Sequence, residues 1–296
     1  MDGNEQLLYT LAASVVGLQE GLPELLGNPH SINAWHQRRM YQLIQPIMEF
    51  GINDNWLTIG DSGADATALA DAGIAPSHIV ASSVSTALLE RLKNRGYLSG
   101  IEVRTVNAEC IECPTDGFDF VLAKEVYHHF PRPSIGLYEM LRVARRAVVL
   151  IEPIDFIGRP LDTLRDIVKS LLHRKFVQGE FECYGNYTYR LSLRETRKLM
   201  TGMAFSDMYV LLFNDFGNNS GGEPLSNHYQ MGLHRLALLA QDVLARGFLM
   251  SWGKAVVVLA KRPLPDVLRT RLEAAGFTRH VLPENPYLAT HEVAKP

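Results

Sequence analysis

The stretch from Trp56 to Gly73, WLTIGDSGADATALADAG, constrains the fold more than any other part of the chain. Trp56-Leu57-Thr58-Ile59 is a short apolar run, and Gly60 and Gly63 punctuate the loop after it. Ala64, Ala68 and Leu69 then fall on one side of a helical pattern that Gly73 closes. This predicts a strand, a glycine turn and a helix, the βα unit of a nucleotide-binding fold. Glycine suits the turn because a missing Cβ lets the backbone tighten and approach a ligand. The N–H groups exposed at the helix start favour an anion such as a carboxylate or phosphate. A turn this short recurs in unrelated folds, so the elements after Gly73 have to decide between them.

A second unit comes at once. His78-Ile79-Val80-Ala81 reads as a strand, and Ser83 or Ser85 as the N-cap of a helix carrying Leu88, Leu89 and Leu92 and stopped by Gly96. A third strand, Ile101 to Val106, leads to Asn107-Ala108-Glu109. The fourth, Phe118 to Leu122, runs into KEVYHHFPRP, and a helix around Tyr138, Leu141 and Ala144 precedes a fifth strand, Ala147 to Ile151. Strands alternating with helices at this spacing predict a parallel sheet covered on both faces. Ligands in such sheets bind at the carboxyl ends of the strands, here Gly60, Ser83, Asn107 and Lys124.

Upstream, residues 5–18 and 35–50 carry apolar residues at helical spacing and read as an N-terminal helical cap, with Pro46 expected to kink or restart the second helix. Ser192 with Glu195 fits a capping box. A long helix over about residues 226–249, with Leu233, Leu236, Ala237, Ala240 and Leu244 on one face, is read either as a cover for the sheet or as a homodimer interface. A last helix ends at Gly276, followed by a proline-extended tail. No internal repeat stands out.

Composition excludes several classes of function. A net charge of −3, with no run of Lys and Arg interleaved with aromatics, argues against nucleic acid as a partner. The apolar runs are too short to span a membrane, and MDGNEQLLYT lacks the basic flank of a secretory signal, so a cytoplasmic protein is expected. Three cysteines do not make a disulfide framework, and the lone pair Cys110 and Cys113 reads as ordinary thiols rather than a redox or metal motif.

The succession WLTIGDSGADA, NAE, FDFVLAKEVYHHFPRP and YEMLRVARRAVVLIEP resembles class I S-adenosylmethionine-dependent methyltransferases, in particular the small-molecule branch that includes the ubiquinone and menaquinone type. The likeness covers roughly residues 55–155, and the order of elements extends it to about 262. It implies one α/β domain over 1–296: a Rossmann-like, seven-stranded, mostly parallel sheet whose last strand is antiparallel, with helices on both faces. Met208 to Phe213 and Ala255 to Ala260 would be strands six and seven. Within that domain, 1–50 form the cap, 51–153 the cofactor-binding core, 154–190 a lid insertion, 191–262 strands six and seven with inserted helices, and 263–296 the final helix and tail.

For the cofactor, S-adenosyl-L-methionine, the resemblance implies Gly60, Asp61 and Gly63 along its methionine end, with the helix start facing its carboxylate. Ala108 and Glu109 would flank the adenine, and Lys124 and Glu125 would lie beside the sulfonium or the substrate. Two positions depart from the family pattern. Ser83 holds the place of the carboxylate that usually binds the ribose hydroxyls, and Thr58 that of an acid usual within strand one. Exchanging a charged for a neutral hydrogen bond weakens binding by roughly tenfold. Ser82 or Ser83, or Asp61 or Asp65 reaching across, are the candidates to replace it. A methyltransferase fold with an altered site and another role is the alternative. A dinucleotide-dependent oxidoreductase fits worse, since SSVSTALLE offers neither an acid nor an arginine for the ribose.

Methyl transfer needs alignment and, for some acceptors, a base. His128 and His129 come directly after the fourth strand, and one of the two is expected to be catalytic; adjacent histidines lack metal-ligand spacing, and no metal is expected. Tyr127, Glu152, Tyr184, Tyr187 and Asp215 are the candidate contacts to a small-molecule substrate, the tyrosines through their aromatic faces. Glu152 is read equally as a cap for the segment after it.

Overall fold

The computed structural model describes residues 32–155, 158–172, 187–215 and 228–284. The first 31 residues, the segment 173–186 with Tyr184, the segment 216–227 and the residues after 284 lie outside these, and with them the first cap helix, part of the expected lid and the proline-extended tail.

The strands β1 (Trp56–Ile59), β2 (Ile79–Ser83), β3 (Glu102–Thr105), β4 (Phe118–Lys124), β5 (Ala144–Pro153), β6 (Asp207–Phe213), β7 (Lys254–Ala260) and β8 (Thr278–Val281) form one sheet. Its order is β3-β2-β1-β4-β5-β7-β6-β8. The first five pair in parallel, and β7 runs antiparallel to both β5 and β6. The seven expected strands are joined by an eighth, β8, antiparallel to β6 at the edge. The order reverses between β1 and β4, and the crevice between their carboxyl ends is where such sheets bind ligands.

The helices are α1 (Ile32–Phe50), α2 (Ala64–Asp71), α3 (Ala87–Asn94), α4 (Pro133–Val143), α5 (Pro160–Leu172), α6 (Leu193–Gly202), α7 (His228–Arg246) and α8 (Asp266–Ala274). Alternation along each strand sorts the core into two layers. Trp56, Phe120, Leu122, Val149 and Val256 pack under α1, α2, α3 and α8. Leu57, Ile59, Val121, Val148 and Val257 face α4 and α6. Strands buried on both faces explain why they read as unbroken apolar runs.

Several expectations change in detail. Pro46 sits inside α1 without dividing it, because Met40 and Ile44 before it and Ile47 and Met48 after it are all anchored in the same core. The N-cap of α3 is Thr86, not Ser83 or Ser85. At α6, Ser192 Oγ accepts from Glu195 N, but the Glu195 side chain turns to Lys198, which leaves half a capping box. On α7, Leu233 and Leu236 are exposed, so the face expected to cover the sheet does not. Among the described residues no helix is long and apolar enough to cross a membrane.

Candidate active site at the carboxyl edge of the sheet

At the end of β1 the chain turns through Gly60 (φ +66°) and Gly63 (φ +95°) into α2. Neither glycine is there only for a ligand. A Cβ on Gly60 would lie 2.2 Å from Cγ2 of Val126, and one on Gly63 would lie 2.4 Å from Cδ1 of Leu92. The turn is therefore glycine-rich because neighbouring elements press against it.

Asp61 corrects a more important expectation. It is buried, and Oδ1 accepts from the N–H groups of Gly63 (2.6 Å) and Asp65 (3.1 Å). Its Oδ2 accepts from Ala66 N (2.9 Å) and the Thr58 hydroxyl (2.8 Å). The start of α2, expected to face a ligand carboxylate, holds the protein's own. Burial pushes the Asp61 carboxyl up, while Thr58 and the backbone donors pull it down. Strand one lacks its usual acid, yet the loop brings a carboxylate to the same strand end.

At the end of β2, Ser82 Oγ donates to the Thr58 carbonyl (2.5 Å) and so belongs to the sheet. Ser83 Oγ is buried and has no hydrogen-bond partner among the described residues. Beyond β3, Ala108 is buried, and the Glu109 carboxylate, expected beside an adenine, is held by the N and Nε of Arg132 at 2.7 Å each. It ties the loop after β3 to the start of α4.

The end of β4 carries a buried ionic network. Lys124 Nζ lies 3.6 Å from Asp65, 4.0 Å from Glu125, and 5.5 Å over the ring of Tyr41, whose hydroxyl donates to Asp65 (2.5 Å). Lys254, at the start of β7, contacts Glu125 (2.5 Å) and Asp215 (3.0 Å), and His36 pairs with Asp215. Burial dominates the titration of Asp65, which is pushed up to about 7 despite Lys124. Burial would raise Glu125 and Asp215 too, but Lys124 and Lys254 hold Glu125 down, and His36 and Lys254 hold Asp215 down. Asp215, expected at the substrate mouth, is thus closed within the network. Glu125 keeps 30 % of its side chain exposed and sits in the left-handed region at φ +53°, a conformation that costs a non-glycine residue energy and clusters at functional sites.

The edge between β4 and β5 is different. Lys124 pairs with Ile151, so the residues after β4 sit beside Glu152. Glu152 is fully buried. Its Oε1 accepts from the backbone N–H groups of Val126 (2.7 Å) and Tyr127 (2.8 Å), and Oε2 meets Nδ1 of His128 at 2.7 Å. Glu152, expected to touch substrate, instead grips the turn Tyr127–His129 and the ring within it. Tyr127 is a packing residue: it is buried beside Phe130, and burial, with Glu152 and Asp155, pushes its hydroxyl up to about 12. The His129 ring lies against that of His128, centroids 4.0 Å apart. From the segment before α6, Tyr189 N donates to the His128 carbonyl (3.0 Å), and the rings of Tyr187 and Tyr189 meet edge to face at 4.9 Å. Among the described residues no group of three or more His, Cys, Asp or Glu side chains is placed to hold a metal ion.

Residues 57–151 match the family model for a methyltransferase domain. That segment, which holds β1 to β4 and most of β5, is similar to a methyltransferase domain. S-adenosylmethionine is the cofactor that this likeness implies. Solved structures to which the chain is similar include the YcgJ protein of Bacillus subtilis, at 16% identity and TM-score 0.47, covering 75% of this chain and 99% of that one. A methyltransferase of Archaeoglobus fulgidus matches at 12% identity and TM-score 0.47, over 76% of this chain and 94% of that one. Magnesium protoporphyrin IX methyltransferase of Synechocystis, solved with S-adenosylhomocysteine, matches at 14% identity and TM-score 0.47, over 82% and 93%. No curated protein matches the sequence.

The residues present fit this cofactor in two respects. The Ser83 hydroxyl at the end of β2 is an orphan that a ribose hydroxyl can answer. Asp61, Asp65, Glu125 and Asp215 outnumber Lys124, Lys254 and His36, a surplus of carboxylates that suits a ligand bearing a sulfonium and an ammonium cation.

Proposed function

We propose that the methyltransferase acts on an oxygen or nitrogen of a small-molecule metabolite, with the acceptor approaching over the turn Tyr127–His129 beneath the lid. The observation that carries this reading is the position of His128. Its side chain keeps 14 % exposure at the carboxyl edge, one turn past β4. The cofactor supplies an electrophilic methyl group, so the protein has to align the acceptor and remove a proton where one must leave. Tyr187 and Tyr189, each more than a third exposed, offer aromatic faces to the acceptor. Ser83 is assigned to the ribose, Ala108 to the adenine, and Glu125 with Lys124 to the cationic end of the cofactor.

The test is calorimetric titration with S-adenosylmethionine and S-adenosylhomocysteine, using NAD and NADP as controls. Micromolar binding of the sulfur ligands alone is expected, and Ser83→Asp changes their affinity if Ser83 meets the ribose. Binding of NAD in preference, or sulfur-ligand affinity indifferent to Ser83, would overturn the respective assignment.

A further inference from the structure

We infer that the exposed apolar face of α7, with the turn after it and the start of α5, is a self-pairing surface that takes a second copy of this chain, α7 lying antiparallel to α7 across a two-fold axis. The surface shares no residue with the site described above.

More than half of the exposed large apolar side chains among the described residues fall on α5, α7 and the turn after α7. On α7, Leu236, Leu239 and Val243 recur at three and four residues, which sets them in one row along the helix. Each is more than half exposed, while Leu238 and Ala245 on the other side are buried, and Asp242 ties the helix to the fold by accepting from Asn214 Nδ2 (2.9 Å). The turn after the helix carries the face on to α5. Phe248 is 66 % exposed and held at φ +59°, a left-handed conformation that costs a bulky residue energy. The Arg159 guanidinium lies 4.6 Å over its ring, Leu161 N donates to the Leu249 carbonyl (3.0 Å), and the buried Asp162 accepts from Ser251 N (2.9 Å). Leu161 and Leu164 therefore begin α5 beside that turn, and both are exposed.

The size of the face and its symmetry select the occupant. Side chains of this kind left about half open offer on the order of 100 Å² each, so the whole face presents on the order of 900 Å². The largest apolar patch of a typical monomer is about 300–600 Å², and each partner in a stable interface gives about 800 Å². The row on α7 also reads nearly the same from either end, because Leu236 and Val243 flank Leu239 at three and four residues. Two such rows laid antiparallel set Leu236 of each copy against Val243 of the other and bring the two Leu239 side chains together at the axis. The turn with Phe248 then meets the Leu233 end of the facing helix. A membrane surface fits less well, since the chain carries a net charge of −3 and a helix lying on a bilayer draws much of its hold from an excess of Lys and Arg.

Sedimentation equilibrium of the full chain at micromolar concentrations tests the pairing, and a dimer is expected for the wild type. Leu236→Glu places a charge where the side chain is already 62 % exposed, so the chain should fold as before by circular dichroism. It is expected to weaken the dimer on the order of 100-fold. Val267→Glu, similarly exposed but on α8, is expected to leave the dimer unchanged. Orientation is read by mild oxidation of two further variants, with the wild type as the background for the native cysteines. Leu239→Cys is expected to cross-link to its counterpart in the second copy, and Leu233→Cys is not. The reverse pattern overturns the antiparallel arrangement. A wild-type chain that stays monomeric, or a dimer that Leu236→Glu leaves intact, overturns the surface. So does a monomer that floats with vesicles of equal parts phosphatidylcholine and phosphatidylglycerol and no longer does so in Leu236→Glu, because the occupant is then a membrane.

Discussion

Two buried carboxylates stand at the carboxyl edge of the sheet, at β1 and β5 on either side of β4, and gather backbone N–H groups in the same way, yet they serve opposite ends. Asp61 closes the turn after β1: it receives the N–H group of Gly63, two N–H groups of α2 and the Thr58 hydroxyl, and every bond ends within the fold. Glu152 receives two N–H groups from the turn after β4 and passes its remaining oxygen to the ring of His128, which reaches the surface. A carboxylate whose partners all have fixed protonation can only stabilise. One whose partner can gain and lose a proton can take part in a reaction.

The largest effect that would sharpen this contrast is on turnover. His128→Ala is expected to lower kcat by about 10²- to 10⁴-fold, with S-adenosylhomocysteine affinity by calorimetry unchanged; full activity would remove the distinction between the two carboxylates. Asp61→Ala acts on stability instead. It strips the start of α2 of its acceptor and should cost about 2–4 kcal/mol in urea denaturation, and a loss under about 1 kcal/mol would show that water replaces it freely.

Next in size is a dependence on pH set by Asp65. Its carboxyl is pushed up to about 7 in the fold from an ordinary value near 3.8. Between these values the folded chain holds a proton that the unfolded chain has lost. Stability therefore falls as pH rises through that window, by at most about 1.4 kcal/mol per pH unit, and levels off above about 7. Asp65→Asn should flatten the slope between about pH 5 and 7 relative to the wild type; parallel curves would refute the assignment. The smallest effect is at Ser83, where Ser83→Ala should weaken S-adenosylhomocysteine by roughly two- to tenfold, measured in the same titration.

Fully buried strands were the most legible part of the sequence. β1, β4, β6 and β7 are apolar runs because both faces are covered. β5 starts three residues earlier than its apolar run because Arg145 and Arg146 belong to the strand and pair with Asp119. β8 was missed because Thr278-Arg279-His280-Val281 is an edge strand, largely open to solvent and paired only with β6, and carries no apolar pattern. In the site, residue types and strand ends pointed to His128 and Glu152 separately. Their partnership was hidden because 24 residues separate them, and only the register of β4 on β5 brings them together. The same limit applies to Asp61: the family resemblance implied a ligand contact, whereas the three N–H groups it collects belong to Gly63, Asp65 and Ala66, where the next helix starts.

Helix α4 ends at Val143 and β5 begins at Ala144, with no residue between them. One amino acid inserted at that junction would slide β5 by a single step, and every side chain along it would change faces. Glu152 would then point away from the turn it grips, and the apolar row around it would be turned inside out. Extra length beyond Pro153 carries no such penalty, so the lid can be lengthened or exchanged while the ring and its carboxylate stay in place. The chain beyond Pro153 can therefore be rewritten while the ruler that ends at Glu152 stays uncut.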